Sequence, residues 1–131
     1  MESKPKDFQS FSGEDLPIFV KWIDFVKWLM VTTDNFPKKA RFTFADRLIS
    51  IALQNVEDLV DARYSSNKTQ TLRRVNRNLE KMRVLIRICF EMKFIPKKTY
   101  EHASFRINEV GKMLGGWLKQ QGDHEKTRKS Y

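Results

Sequence analysis

The sequence contains little of the chemistry on which small enzymes and secreted domains depend. Cys89 is the only cysteine in 131 residues, so no disulfide within the chain and no cysteine-rich zinc site can form. Neither histidine, His102 or His124, has a glutamate three residues before it, which excludes the Glu-x-x-His pair of a di-iron helix bundle. The sequence also lacks a Walker-type phosphate loop and a serine or cysteine nucleophile with an evident base partner. We therefore expect neither catalytic activity nor a bound metal or cofactor.

Glycine, proline and long apolar runs are scarce as well. Five Gly and four Pro, most of them between periodic segments, favour helices over a β fold with many turns. No segment approaches the ~18 apolar residues that a membrane span requires, and residues 1–13 lack the apolar core of a secretory signal. Cys89 lies on the apolar side of its predicted helix, where we expect a buried and inert thiol. These features predict a cytoplasmic protein with no membrane partner.

What the sequence does contain is an excess of positive charge. There are 25 Lys and Arg against 16 Asp and Glu, which gives a net charge of +9 and a pI near 9.8. Such an excess predicts a polyanionic partner, either a nucleic acid or the acidic face of a protein. The length predicts one domain, residues 1–131, with a single core. Within it we expect residues 1–12 to be a flexible arm and residues 122–131 a flexible tail.

Apolar residues recur at helical spacing in four segments. The first is expected to begin near Ser12, with Asp15 as its capping partner, and to end before Pro37. The second is expected to begin at Thr43, after a basic loop over residues 37–42, and to run to about Arg63. Its acidic residues are interpreted as a solvent-exposed face; they are Asp46, Glu57, Asp58 and Asp61.

The third and fourth segments are predicted to be helices over residues 68–95 and 97–121, separated by Pro96. Four helices with short connections predict an all-α, antiparallel up-down-up-down four-helix bundle.

Two features predict contacts beyond a simple four-helix core. The first helix carries two apolar stripes, which indicates a central position or a contact with another subunit. The fourth helix contains Gly111, Gly115 and Gly116, and each glycine costs up to ~1 kcal/mol in a helix interior. Close approach of another backbone, or of a large tryptophan ring, is the simplest reason for these glycines.

The third segment carries most of the excess charge. Residues 68–93 contain eight Lys or Arg and two Glu, a local charge of +6 (8 − 2). Arginine suits bidentate contact with phosphate or carboxylate groups. Without aromatic residues between them, these positions predict contact with a nucleic-acid backbone, which is strongly salt-dependent and weakly sequence-specific. The candidate binding residues on this face are Arg73, Arg74, Arg77 and Lys81, with Arg83 and Arg87 at its edge. Further candidates in the basic loop before the second helix are Lys38, Lys39 and Arg41. The alternative is a solvated face partly neutralised by the acids of the second helix.

Parts of the chain resemble a known family. EVGKMLGGWLK, preceded by KKTYEHASFRINE, looks like the last helix of the accessory variability determinant proteins of diversity-generating retroelements. FPKKARFTFADRL, residues 36–48, resembles the start of the second helix of these proteins. They are related to the four-helix-bundle proteins encoded in 23S ribosomal RNA intervening sequences. The resemblance covers roughly residues 14–120, and its most specific part is the pattern of Gly111, Gly115, Gly116 and Trp117.

The resemblance implies a homopentameric barrel of four-helix bundles, encoded by a bacterium, an archaeon or a phage. It implies a nonenzymatic accessory protein that binds reverse transcriptase and nucleic acid, either template RNA or cDNA, and supports mutagenic cDNA synthesis. Arg83 and Arg87 match a pair of basic positions that the family uses for binding. The alternative is a protein-interaction scaffold of the intervening-sequence type, whose basic face meets an acidic partner and no nucleic acid.

Overall fold

The computed structural model describes the backbone of residues 15–129 and the side chains of residues 17–122. This part of the chain contains four long helices and no strand. The predicted cap at Ser12 and the arm over residues 1–12 lie outside the described residues. The helices are α1, Asp15–Thr33; α2, which runs through Lys38–Ala40, a π-helical turn at Arg41–Ala45, and Asp46–Tyr64; α3, Lys68–Glu91; and α4, Lys97–Lys129.

The helices form a closed bundle. Each helix packs against the next one in the chain, and α4 also packs against α1. Two contacts illustrate the closure: Lys21 Nζ lies 3.3 Å from Glu109 Oε1, and the ring centroids of Trp28 and His102 are 4.7 Å apart. Short connections between long neighbouring helices make the neighbours antiparallel. The all-α four-helix bundle expected from the sequence is therefore confirmed.

The core is formed by one face of each helix, and α1 contributes its largest side chains. Trp22 and Phe25 are 1% and 0% exposed, and Trp22 Nε1 donates a 2.9 Å hydrogen bond to the carbonyl of Ala52 in α2. Cys89 is buried, as predicted, and burial raises the pKa of its thiol to about 11. At neutral pH the thiol is therefore almost entirely protonated, which makes it a poor nucleophile.

The second apolar stripe of α1, which consists of Phe19, Ile23, Val26 and Met30, is covered unevenly. Phe19 is buried and Ile23 and Val26 are half-buried, whereas Met30 is 47% exposed. Val31, beside it, is 68% exposed. The neighbours of α1 are α2 and α4, and residues on its far side remain accessible.

The start of α2 differs from the sequence prediction. Residues 38–42 are helical rather than a loop, and Thr43 is not the N-cap, because its hydroxyl donates to the carbonyl of Lys39 over 2.9 Å inside the helix. Pro37 starts the helix: its φ is −55°, and its carbonyl accepts hydrogen bonds from the backbone N–H groups of Ala40 and Arg41. A π-helical turn then accommodates the next five residues. The predicted basic loop is therefore the first part of α2.

The end of α3 also differs, because the helix ends at Glu91 and not at Ile95. Lys93 has a φ of 62°, and the N–H groups of Lys93 and Phe94 donate to the carbonyls of Phe90 and Cys89. This is a Schellman motif, in which a left-handed residue ends the helix before Pro96 can do so. The sequence does not reveal it, because lysine stands where glycine is usual.

The fourth helix extends beyond its predicted end. It begins at Lys97, as expected, and continues past Gln121 to Lys129, into the segment expected to be a tail. Gly122 does not end the helix, since a single glycine costs only about 1 kcal/mol and no proline follows it before Lys129.

Candidate functional site

The basic residues of α3 fall into two groups according to their neighbours. Arg74, Arg83 and Arg87 each form an ion pair with a carboxylate of the same chain. Within the described side chains, no ion pair involves the remaining exposed cations of this helix, Arg73, Arg77 and Lys81. The six candidates therefore differ in how readily they can meet an external anion.

Arg74 is held by a buried carboxylate of α2. Its Nη2 donates to Asp58 Oδ1 over 3.1 Å, and the side chain of Asp58 is only 1% exposed. The hydrogen bond and the charge of Asp58 both raise the pKa of the Arg74 guanidinium. The expectation that Asp58 lies on the exposed acidic face of the second helix is therefore wrong. Position 58 falls between Asn55 and Leu59 on the side of α2 that faces the core.

Asp58 belongs to a buried polar cluster between α2 and α3. Asn78 Nδ2 donates to Asn55 Oδ1 over 2.8 Å, and Gln54 Nε2 donates to Asp58 Oδ1 over 3.2 Å. Two buried atoms, Asn55 Nδ2 and Asp58 Oδ2, have no hydrogen-bond partner among the described residues. Such a cluster restricts how one helix can slide along the other, because any shift leaves further polar atoms unpaired.

Arg83 joins α3 to α4. Its Nε donates to Asn108 Oδ1 over 3.0 Å, and its Nη1 donates to Glu80 Oε2 over 2.9 Å. A Cβ atom added to Gly111 would lie 2.8 Å from Arg83 Nη2, so this glycine leaves the space that the guanidinium occupies. The expected approach of a backbone or a tryptophan ring is therefore wrong at Gly111, where an arginine side chain lies close instead.

Gly115 and Gly116 do not have a comparable neighbour. A Cβ atom added at either position would meet nothing within 4 Å, and both residues are exposed. The expected close approach of a backbone or ring is therefore wrong for these two glycines within a single chain.

The remaining predicted cations lie near the end of the bundle where α2 begins and α3 ends. Arg87 Nε donates to Glu91 Oε1 over 2.9 Å, and this exposed pair raises the pKa of Arg87. Arg41 Nε donates to the carbonyl of Phe36 over 3.0 Å. Lys39 Nζ lies 5.6 Å from the centroid of the Phe94 ring, and Lys38 is exposed.

An open groove separates the exposed sides of α2 and α3. It has a volume of about 690 Å³ and is lined by three cations, Arg47, Arg77 and Lys81. Glu80 also lines the groove, and the apolar part of the lining consists of Ile51, Val84 and Leu85. A second opening of about 460 Å³, next to the start of α3, is lined by Arg73 and Arg77 together with Asn67, Thr69 and Gln70.

Among the three cations that line this groove, Arg47 is not one of the candidates predicted from the sequence. The described side chains offer it no ion-pair partner. It lies one helical turn before Ile51, which lines the same groove, and this spacing is the only signal of its position in the sequence. The acidic residues of α2 predict a solvated face, and that prediction gives Arg47 no role in binding.

The described residues also contain no group of three or more His, Cys, Asp or Glu side chains placed to hold a metal ion. None of the helices in this part of the chain has the length and apolar character needed to cross a membrane.

The matched family covers most of the bundle. A sequence model of the bAvd-like family matches residues 18–121. The chain belongs to the bAvd-like family. This match confirms the resemblance to the accessory variability determinant proteins.

The fold has a solved counterpart. A crystal structure from Bacteroides thetaiotaomicron VPI-5482, of a protein with unknown function from the S23 ribosomal protein family, superposes with a TM-score of 0.75. The identity is 12%, and the alignment covers 82% of this chain and 99% of the other. This likeness establishes the fold alone. No curated protein matches the sequence significantly.

Proposed function

We propose that this bAvd-like protein is a nonenzymatic accessory factor of a diversity-generating retroelement. In this role it binds the reverse transcriptase and nucleic acid, template RNA or cDNA, through its basic surface and supports mutagenic cDNA synthesis. Family membership over residues 18–121 is the observation that carries the proposal. The net charge of +9 supports a polyanionic partner.

The outer side of α3 offers surfaces of two kinds, which suits two kinds of partner. Residues 73–81 include the exposed cations Arg73, Arg77 and Lys81. Further along, Val84, Ile88 and Met92 recur every four residues and are 53%, 37% and 54% exposed. An exposed apolar row on a helix is suited to a protein partner, and an exposed cationic row to phosphates. This arrangement supports binding of both a protein and a nucleic acid.

We further propose that the protein acts as a homopentamer. The partly exposed second stripe of α1, with Met30 and Val31, supports contact between subunits, because large apolar side chains this exposed are favourable when another surface covers them. The open space beside Gly115 and Gly116 supports a second contact, since helices without side chains at such positions can approach closely.

A protein-interaction scaffold without nucleic-acid binding is the second candidate function. The observation that favours it concerns Arg83 and Arg87, the two positions matched to binding residues of the family. Both are already paired with carboxylates, Glu80 and Glu91. These pairs leave Arg83 and Arg87 less available to phosphates. A protein partner could bind elsewhere on the surface without displacing either carboxylate.

One experiment separates the two functions. The tagged full-length protein is used to capture reverse transcriptase from cells that carry the retroelement, with and without nuclease treatment, and the bound nucleic acid is sequenced. We expect the polymerase together with template RNA, and binding to purified RNA that weakens steeply as salt rises. A nuclease-resistant protein partner with no bound nucleic acid would establish the scaffold instead. Failure to capture the polymerase in either condition would contradict the accessory function.

A further inference from the structure

We propose that the phosphate backbone of a nucleic acid lies along the groove between α2 and α3 and the opening at the start of α3, which share Arg77. The contacts are made by Arg47, Arg73, Arg77 and Lys81, and not by Arg83 and Arg87. This inference rests on the proposed nucleic-acid binding and specifies where on the protein it takes place. We call these four residues the groove cations.

The first argument is the availability of the side chains. Arg83 makes two hydrogen bonds with side chains, to Glu80 and Asn108, and its guanidinium also packs over Gly111. To bind a phosphate it must give up contacts that join α3 to α4. The groove cations have no ion-pair partner among the described residues, so a phosphate replaces only their water and counterions.

The second argument is their spacing. Arg73, Arg77 and Lys81 follow one another at intervals of four residues, which are ~6 Å apart along the axis of an α-helix. The row therefore extends over ~12 Å, and along one strand of a duplex the phosphates are ~3.4 Å apart in axial rise. The row can accordingly meet three or four consecutive phosphates. A row of this kind is inclined to its helix axis by about 26°, and Lys81, near its end, lines the groove together with Arg47 of α2.

The third argument is the electrostatic environment of the groove. Ile51, Val84 and Leu85 form an apolar lining, which reduces screening of the charges above it. Among the described residues that line the groove, Glu80 is the only acid, and Arg83 Nη1 lies 2.9 Å from its carboxylate. The first turn of α3 contains no acidic residue and no side-chain cap, so the positive end of its dipole adds to the field at the adjoining opening, which Arg73 and Arg77 line.

The same geometry predicts what the groove does not recognise. In the part of the chain whose side chains the structure describes, the residues lining the groove and the adjoining opening include no aromatic ring on which a base can stack. Contacts to phosphates alone position a strand and carry no sequence information. RNA, DNA and an RNA–DNA duplex should therefore all depend on the groove cations by a similar factor.

Charge-matched variants of the full-length protein test this inference. The groove variant, Arg73→Gln with Arg77→Gln, and the edge variant, Arg83→Gln with Arg87→Gln, each remove two positive charges. The control variant, Lys112→Gln with Lys119→Gln, removes two from the exposed surface of α4. Binding of fluorescent single-stranded RNA, single-stranded DNA and an RNA–DNA duplex is measured by anisotropy across a salt series. Circular dichroism and light scattering confirm that each variant keeps its fold and mass.

We expect the groove variant to weaken the binding of all three probes by about tenfold or more. Its slope of log K against log salt should fall by about two, since each lost phosphate contact lowers it by about one. The edge and control variants should change affinity by less than about threefold. The charge-retaining variant Arg73→Lys with Arg77→Lys should remain within about threefold of the wild type, because lysine also contacts phosphate.

Three results would overturn the inference. Loss confined to the edge variant would place binding on Arg83 and Arg87 and leave the proposed function intact. Equal loss in the groove and control variants would show that net charge alone matters. If the wild type bound none of the probes, the inference would fail together with the nucleic-acid part of the proposed function, whereas capture of the reverse transcriptase would preserve the remainder.

Discussion

Arg73 and Arg74 are adjacent in the chain, and their different neighbours give them different roles. Arg74 turns toward α2 and pairs with the buried carboxylate of Asp58, whereas Arg73 is exposed and lines the opening beside the start of α3. A step of one residue rotates a side chain by about 100° around a helix, which is enough to separate these surroundings. At the scale of the residue, a cationic helix therefore contains structural arginines as well as candidate binding residues.

The two arginines should respond differently to truncation. Arg74→Ala leaves the carboxylate of Asp58 buried with only Gln54 as a side-chain donor, and we expect it to lower the free energy of unfolding. Solvent screens part of the attraction, because 45% of the Arg74 side chain is exposed, but the loss should still exceed that caused by Arg73→Ala. Arg73→Ala should change the free energy of unfolding by less than about 0.5 kcal/mol. Urea unfolding of both variants measures the difference, and equal losses would contradict the structural role of Arg74.

At the scale of the element, the boundaries of the helices depend on residues that are unusual for their positions. Lysine, and not glycine, occupies the left-handed position that ends α3. Proline starts α2, and the π-helical turn follows it directly. The start of α2 and the end of α3 together determine the position of a cation, because Lys39 of α2 lies next to Phe94, which follows α3.

The Schellman motif at the end of α3 can be tested by replacing Lys93, whose left-handed backbone conformation is unfavourable for a residue other than glycine. A left-handed conformation costs a residue other than glycine roughly 1 kcal/mol, and the N–H groups of Lys93 and Phe94 already form the required hydrogen bonds. We therefore expect Lys93→Gly to raise the free energy of unfolding by up to about 1 kcal/mol. Lys98→Gly, in the first turn of α4, should lower it by up to about the same amount. Thermal unfolding of the two variants provides the comparison, and a destabilised Lys93→Gly protein would refute the assignment of the cap.

At the scale of the whole molecule, the question is which surfaces a second subunit covers. Each helix packs on two neighbours, so the bundle leaves the outer side of every helix exposed. Each of these sides carries some exposed large apolar side chains, and on α1 they include Met30 and Val31. If the groove cations are repeated around a pentamer, five sites can engage one nucleic acid together, and weak individual contacts give strong overall binding.

Light scattering provides the test of assembly. We expect the wild type to have a mass of about 78 kDa, five times 15.6 kDa. Met30→Glu should shift the mass toward that of the monomer without altering the helical circular dichroism signal, because it places a charge on a surface that becomes buried. Leu53→Glu is the matched control, since both side chains are 47% exposed in the single chain, and it should keep the larger mass. A wild type that is monomeric at micromolar concentration would disprove the assembly.

The sequence by itself determined the elements, their order and the family. Helical spacing of apolar residues depends only on neighbours along the chain. The apolar helix faces that contain Trp22, Phe25 and Cys89 could therefore be recognised without coordinates. The family pattern likewise is a property of the sequence, and the match over residues 18–121 agrees with it.

The tertiary structure alone decided which charges are neutralised and which remain available. Three examples involve residues of different helices. Arg74 pairs with Asp58, Arg83 contacts Asn108 over Gly111, and Arg47 lines the groove from the side of α2. Such pairs depend on the rotation and register of one helix against another, and packing of the whole bundle sets both. Periodicity within a single helix contains no information about them.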